Sequence, residues 1–429
     1  MGKGMKAMVV SVGTGTEGKD VAHGICFSIQ HHNPDDLIFL NTSKSRKTTM
    51  PFIIEECDSK ERKWKEVDLS ESDDVERIAL ECQTIIQELV KEGFHLNDMV
   101  VDYTSGTKAM SAGLTIAAMR EKVGILSYVT GKRGEGGRVI SGTERVLSLI
   151  PNQIFTDDLF KEAVDSFNSY HFDISLKILE ETERLLSDPE FLKKNEILKL
   201  LCRSYGSWDR FEVKEAFELL KSLRADNILR DWGIDRQTEL NKQALYQAKE
   251  NIFCHERIFD LLENAIRRGD EERKFDDAVA RLYRLCEYIA QFELNKRGLY
   301  KIKDGKSDTS DLDLSKLPPA LQEKYSKYTD QYDGKVKVHL SGNYNLLYDL
   351  NHPLGIHFKN EENRFKKLMG LRDLSILAHG FNPISERGYR EMLELVKGFI
   401  QTLEFDQVDL KKKVRFPKIS LRKEGSHSI

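Results

Sequence analysis

The first 150 residues alternate short β-rich runs with helical ones, and that order constrains the fold more than any other feature of the chain. MVVSV leads through a glycine-rich turn into a helix through ICFSIQ; LIFLNTS follows, with another strand expected near PFIIEEC. The pattern repeats as the helix VERIALECQTIIQELVKEGF, the strand MVVDYTS, the helix SAGLTIAAMREK and the strand VGILSYVTG. Strands separated by helices predict a parallel, doubly wound sheet, because a parallel neighbour needs a crossover long enough to hold a helix. Ligands of such sheets bind beyond the carboxyl ends of the strands. SVGTGTEGKD and DYTSGTKAM both fall there, so they are the expected binding loops.

The first loop, from Gly13 to Asp20, satisfies the glycine spacing of a dinucleotide loop and all but the last position of a Walker loop. Its chemistry fits neither. A Walker loop needs Ser or Thr after its lysine to hold Mg²⁺, and Asp20 stands there instead, placing negative charge where phosphates would lie. A dinucleotide fold needs an acidic residue ending the second strand, and that strand ends Leu40-Asn41-Thr42-Ser43. What remains is a turn with Gly13 and Gly15, backbone N–H groups and the hydroxyls of Ser11, Thr14 and Thr16 at a helix N-terminus. That suits a polyanion held without metal, although a tight strand-to-helix turn with no ligand uses the same residues. The second loop offers the hydroxyls of Thr104, Ser105 and Thr107, a flexible Gly106 and the cation of Lys108, a set that suits ribose and phosphate.

Residues 151–270 read as helical throughout, with apolar residues at three and four spacing in DDLFKEAVDSFNSYHFDISLKILEETERLL and VKEAFELLKSLR but no fixed repeat. Residues 271–408 open with FDDAVARLYRLCEYIAQFEL, where Val279, Leu282, Cys286 and Ile289 form one stripe of an amphipathic helix. KIKDGKSDTSDLDLSKLPPA is polar and holds Pro318 and Pro319, so it reads as a loop between helices. Ser385 is the expected N-cap of the last long helix. The tail, residues 409–429, carries seven basic residues against two acidic ones, which predicts a solvated tail or one that meets RNA phosphates.

Composition excludes several classes. No apolar run is long enough to span a bilayer and no signal-peptide core is present, so a cytoplasmic protein is expected. The six cysteines show no CxxC spacing, which argues against a zinc ribbon or a redox motif and predicts buried, reduced thiols. A net charge of -4 does not suit bulk coating of nucleic acid, so any RNA site must be local. No His, Cys and carboxylate set has metal-ligand spacing.

LRDLSILAHG, residues 371–380, places Arg372 and His379 seven positions apart. On one helix they would project within about 20° of each other. Leu371, Leu374, Leu377 and Ala378 would share the opposite, buried side, with Gly380 as a left-handed C-cap and Pro383 barring continuation. A histidine in the last turn, where the helix dipole favours the protonated ring, suits proton transfer; a surface arginine with a capping histidine would look the same. His352 and His357 read as structural, and His31 and His32 as a helix end.

Asp102, Thr104 and Lys108 match the pattern Asp or Asn, any residue, Ser or Thr, three residues, then Lys or Arg. With the hydroxyl-rich loop from Ser11 to Thr16, residues 1–150 resemble CARF domains, the CRISPR-associated Rossmann folds that sense cyclic oligoadenylates. Followed by helices, Arg372 to His379 then looks like the active-site motif of HEPN ribonucleases: arginine, a polar residue (Asp373 here), four to six intervening positions in all, and histidine. The whole chain is similar to the CARF–HEPN ribonucleases of type III CRISPR systems, in which a helical linker joins the two modules.

The resemblance implies an α/β Rossmann-like CARF domain with a parallel-rich sheet, then an all-α linker and an all-α HEPN domain. It implies that Ser11, Gly13, Thr14, Gly15, Thr16, Thr104, Ser105, Gly106, Thr107 and Lys108 hold a cyclic oligoadenylate activator, tetra-adenylate being the ring expected. Arg372, Asp373 and His379 would form the catalytic site of a homodimer that cleaves single-stranded RNA with no metal or other cofactor. Two rival functions fit the same sequence: a non-catalytic sensor with dimerising HEPN-like helices, and a ring nuclease that degrades its own activator.

Overall fold

The computed structural model describes residues 5–15, 18–57, 62–132, 139–140, 142–183, 185, 188–223 and 227–421. The chain forms two compact units, Met1–Glu162 with Ile178–Lys193, and Ala163–Lys177 with Lys194–Ile429. Among the described residues no helix is long and apolar enough to cross a membrane.

The first unit is built on β1 (Ala7–Ser11), β2 (Asp36–Asn41), β3 (Lys63–Asp68), β4 (Val100–Asp102), β5 (Ile125–Thr130) and β6 (Arg145–Leu149), in spatial order β3-β2-β1-β4-β5-β6. All neighbours run parallel except β6, an antiparallel edge strand on β5. Side chains alternate between the faces of a strand, and β1 is buried on both. Ala7 and Val9 pack under α4 (Val75–Lys91) and α5 (Lys108–Arg120), whereas Met8 and Val10 pack under α1 (Lys19–His32) and α3 (Met50–Glu56). A short α2 (Ser43–Thr48) precedes α3. The chain crosses from one side of β1 to the other between β3 and β4. The loops after β1 and β4 therefore meet at the point where strand order reverses.

Helices then run α6 (Pro151–Asn168), α7 (Phe172–Glu183), α8 (Pro189–Asp209), α9 (Val213–Ser222), α10 (Asn227–Asp231), α11 (Asp235–Glu250) and α12 (His255–Ile266). They continue as α13 (Phe275–Lys296), α14 (Pro319–Ser326), α15 (Leu340–Asp349), α16 (Pro353–Asp373), α17 (Glu386–Gln401) and α18 (Gln407–Val414). The stripe expected on α13 is buried, with Val279, Leu282, Cys286 and Ile289 at most 2% exposed. Tyr344, Phe358, Phe365 and Phe399 fill the space between α15, α16 and α17. Ser385 caps α17, its hydroxyl accepting from Gly388 N at 3.2 Å.

Several local expectations are corrected. PFIIEEC is helical: Pro51 sits in the first turn of α3, where its missing N–H costs nothing, and Ile53 is buried toward the sheet. The edge strand lies later, at the charged KWKEVD of β3. The polar stretch after α13 is not a loop throughout but a hairpin, β7 (Tyr300–Lys303) and β8 (Lys306–Leu312), followed by α14. Its turn is Asp304-Gly305, both residues at positive φ, the signal of a tight two-residue hairpin. Cys26 and Cys57 are not reduced but joined by a disulfide, with Cα atoms 5.6 Å apart, because α1 and the end of α3 lie side by side; the other four cysteines are free and buried.

The expected tail is not solvated where it is described. Gln237 and Asn241 of α11 donate to the carbonyls of Lys412, Lys413 and Arg415 at 2.8–3.0 Å, and Ile419 N donates to Asn168 Oδ1 at 2.7 Å. Phe416, 4% exposed, lies 5.0 Å from the rings of both Tyr205 and Trp208, with the Arg267 guanidinium 3.8 Å over its face. An aromatic removed from such a site leaves a cavity and an uncovered cation. Phe416→Ala should therefore lower unfolding stability by about 3–5 kcal/mol, read from the midpoint of urea denaturation; a loss under about 1 kcal/mol would mean the segment is dispensable to the fold.

Candidate functional site

At the sheet's switch point the two loops clamp each other. Gly13 N donates to Ser105 Oγ at 2.8 Å, and Ser11 Oγ donates to the carbonyl of Ser105. A Cβ on Gly13 would stand 2.6 Å from Gly106 N, so only glycine allows the approach. Thr49 Oγ1 holds the carbonyl of Gly13 at 2.8 Å.

Most of the expected hydroxyls are engaged in this framework. Ser11 is fully buried; Thr104 Oγ1 accepts from Val129 N at 2.8 Å. Thr107 caps α5, accepting from Met110 N at 3.1 Å and donating to the carbonyl of Ser72 at 2.6 Å. Among the described residues, Thr14 and the exposed Lys108 have side chains without a protein hydrogen bond or ion pair. Gly15, at positive φ, is exposed beside Thr14. Thr16 lies outside the described residues.

Beneath the loops sits a buried polar chain that sequence reasoning missed. Asp102 accepts from Ser28 Oγ at 2.5 Å and from Thr104 N at 2.9 Å. Ser28 Oγ lies 3.0 Å from Ser127 Oγ, and Ser127 Oγ lies 3.0 Å from His32 Nε2. Burial raises the carboxyl of Asp102 above its ordinary range, against the hydrogen bonds that favour the charged form. Burial likewise pushes His32 down to about 4, with Lys6 and His31 adding repulsion. The available signal was polar residues at buried positions: Ser28 on an apolar helix face and Ser127 inside an apolar strand.

In the helical unit, Arg372 and His379 do not share one helix. The ladder of α16 ends as Leu374 N reaches the carbonyl of Gly370 at 3.2 Å; Ser375 N then takes that of Arg372 at 3.0 Å, tightening the last turn. The chain folds back, so that His379 N donates to the carbonyl of Asp373 at 3.1 Å and Asn382 N to that of Leu374 at 3.0 Å. Gly380 is no left-handed cap; it is needed because a Cβ there would lie 2.1 Å from the Leu374 carbonyl oxygen. The expected burial of Leu374 and Leu377 also fails. They are 55% and 47% exposed, beside Ile376 at 63% and Phe381 at 88%. An apolar stripe supports a helix only where it has a surface to cover, and within the described chain this one has none.

The turn returns the backbone of His379 to Asp373. Arg372 Nη1 donates to Asp373 Oδ1 at 3.2 Å, and its guanidinium carbon lies 4.6 Å from the centre of the Tyr283 ring on α13. Arg372 Nε is buried without a partner among the described residues. His379 is exposed, its ring making no hydrogen bond or ion pair among the described residues. His352 is structural: it caps α16, Nδ1 accepting from Leu354 N at 3.1 Å, and its Nε2 lies 3.1 Å from Glu293 Oε2 on α13. His357 lies on α16, its ring edge-on to Phe399.

A doubly wound sensor sheet with loops at its switch point, followed by helices bearing an Arg–His turn, defines a protein of the CARF–HEPN ribonuclease class. Two family models place it further. Residues 156–248 match the Csm6 6H domain and residues 246–403 the Csm6 HEPN domain, together more than half of the 429 residues, and the chain belongs to the Csm6 family. The fold matches that of Enterococcus italicus Csm6 bound to cyclic hexa-2'-fluoro-hexa-dAMP, with a TM-score of 0.62 at 14% identity over 95% of this chain and 97% of that one. No curated protein sequence matches the chain.

The buried chain has a pH signature. Because His32 titrates at about 4 when folded, against an ordinary value of 6.5, acid protonates the unfolded state first, so stability falls as pH drops from 6.5 toward 4. His32→Asn removes that proton-uptake difference. Its apparent melting temperature should decline less steeply than wild type's across this window, measured by calorimetry; parallel declines would mean that His32 is not held neutral.

Proposed function

We propose that the chain is a cyclic oligoadenylate-activated endoribonuclease that cleaves single-stranded RNA by 2′-hydroxyl attack without metal. The observation that carries this reading is the turn 372–379, in which the backbone of His379, an exposed histidine, bonds to that of Asp373, the neighbour of an arginine whose Nε has no partner among the described residues. RNA supplies its own nucleophile, so the protein need only move protons and stabilise charge. His379 exchanges a proton with the 2′-hydroxyl or with the leaving 5′-oxygen, and Arg372 binds the charge that grows on the phosphorane. Asp373, by accepting from Nη1, keeps the arginine fork in register. A 2′,3′-cyclic phosphate is the expected product. Retention of both Arg372 and His379 argues against the non-catalytic sensor.

A single catalytic histidine per chain is poorly placed to serve as both acid and base, which favours a composite site from two chains. Leu374, Ile376, Leu377 and Phe381 supply an apolar surface beside the motif that a second copy would cover. In the sensor, Lys108 and Thr14, free of protein partners among the described residues, are the side chains best placed to take phosphate and ribose at the N-terminus of α5 and the loop after β1. The bound ring of the Enterococcus italicus protein is a hexamer, whereas the sequence resemblance suggested tetra-adenylate; pocket size decides between them.

The test is RNA cleavage by the full chain in EDTA while activator is titrated. His379→Ala and Arg372→Ala should each lower the maximal rate by roughly a hundredfold or more, with activator affinity unchanged. Lys108→Ala should instead shift the activation curve to higher concentration and recover much of the rate at saturation. Full turnover in both catalytic variants would overturn the ribonuclease reading.

A further inference from the structure

Arg372 is held on one edge and one face. Nη1 is tied to Asp373 Oδ1 at 3.2 Å, and the guanidinium lies over the Tyr283 ring at 4.6 Å, within the range of a cation–π contact. The opposite edge differs. Nε is buried with no partner, and Nη2 makes no hydrogen bond among the described residues. Nε and Nη2 together form the parallel pair of donors that grips an oxyanion two-pronged. A buried donor left unpaired is costly, so the arrangement needs something to hold it until an anion arrives.

Asp373 cannot supply all of that hold, because its side chain is 56% exposed and grips one nitrogen only. Tyr283 comes from the middle of α13, a helix whose apolar stripe is fully packed, and is itself partly buried. A flat ring on a fixed helix restrains the plane of a guanidinium without occupying any of its donors. It also leaves the positive charge uncancelled, as a carboxylate in the same place would not. We propose that Tyr283 is a positioning residue of the ribonuclease site, its ring holding the Arg372 guanidinium so that the Nε–Nη2 edge faces the scissile phosphate.

This inference rests on the reading of Arg372 as the phosphate-binding cation, and the experiment separates the two. Single-turnover and steady-state cleavage would be measured with full-length Tyr283→Phe, Tyr283→Leu, Tyr283→Met and Arg372→Ala at saturating cyclic oligoadenylate, with activator half-saturation and melting temperature recorded for each. Tyr283→Leu and Tyr283→Met should each lower kcat by roughly tenfold, with activator half-saturation unchanged. Tyr283→Phe, which keeps the ring, should restore the wild-type rate. Having two aliphatic variants covers the case in which one does not fold. Wild-type kcat in a folded aliphatic variant, with Arg372→Ala inactive, overturns the role of Tyr283 alone. Equal loss in Tyr283→Phe also overturns it, since the hydroxyl rather than the ring would then matter. An active Arg372→Ala overturns the reading beneath it.

Discussion

The N–H of His379 reaches the carbonyl of Asp373, and the catalytic account depends on that hydrogen bond. It folds the chain back on the end of α16 at the point where Ser375 has tightened the helix to an i−3 bond. A regular helix would bring the two side chains together through periodicity. Here backbone closure instead brings the chain at His379 back to Asp373, and the closure is possible because Gly380 has no Cβ to strike the Leu374 carbonyl. The same fold-back turns Leu374, Ile376, Leu377 and Phe381 outward, so the geometry that forms the site also creates the apolar surface around it.

The sensor follows a related logic with different parts. Gly13 and Gly106 approach so closely that the loops after β1 and β4 act as one element, tied by Ser11 and Ser105 and supported from below by Asp102. Hydroxyls that would seem to be ligands are largely fasteners. Loops tied this way are preorganised, and in the proposed reading it is Lys108, whose side chain has no protein partner among the described residues, that meets the activator. Buried polar chains of the Asp102–Ser28–Ser127–His32 kind are worth keeping only when fully satisfied, and each member here has a partner.

The sheet was legible because its strands and helices differ in hydrophobic period, and both loops fell at the switch point for that reason. The exceptions have physical causes. Pro51 favours a first helical turn, which an apolar PFII run conceals. The β7–β8 hairpin is polar on its surfaces, and only Asp304-Gly305 betrays it. Cys26 and Cys57 meet through packing of α1 and α3, which spacing cannot reveal. The Arg372–His379 pair was legible as a motif but not as a turn: helix periodicity buries Leu374 and Leu377, and among the described residues both are exposed. Tyr283, far earlier in the chain on α13, carries no local mark of its stacking on Arg372.

The central claim is that a nucleotide ring bound by the sheet's loops switches on RNA cleavage in the helical unit. The most direct measurement is the cleavage rate of a fluorescent single-stranded RNA by the full chain in EDTA, alone and with cyclic tri-, tetra- or hexa-adenylate. The account predicts that one ring raises the rate by roughly tenfold or more while the others do little. A rate that no ring changes, or cleavage that appears only when Mg²⁺ is restored, would contradict it.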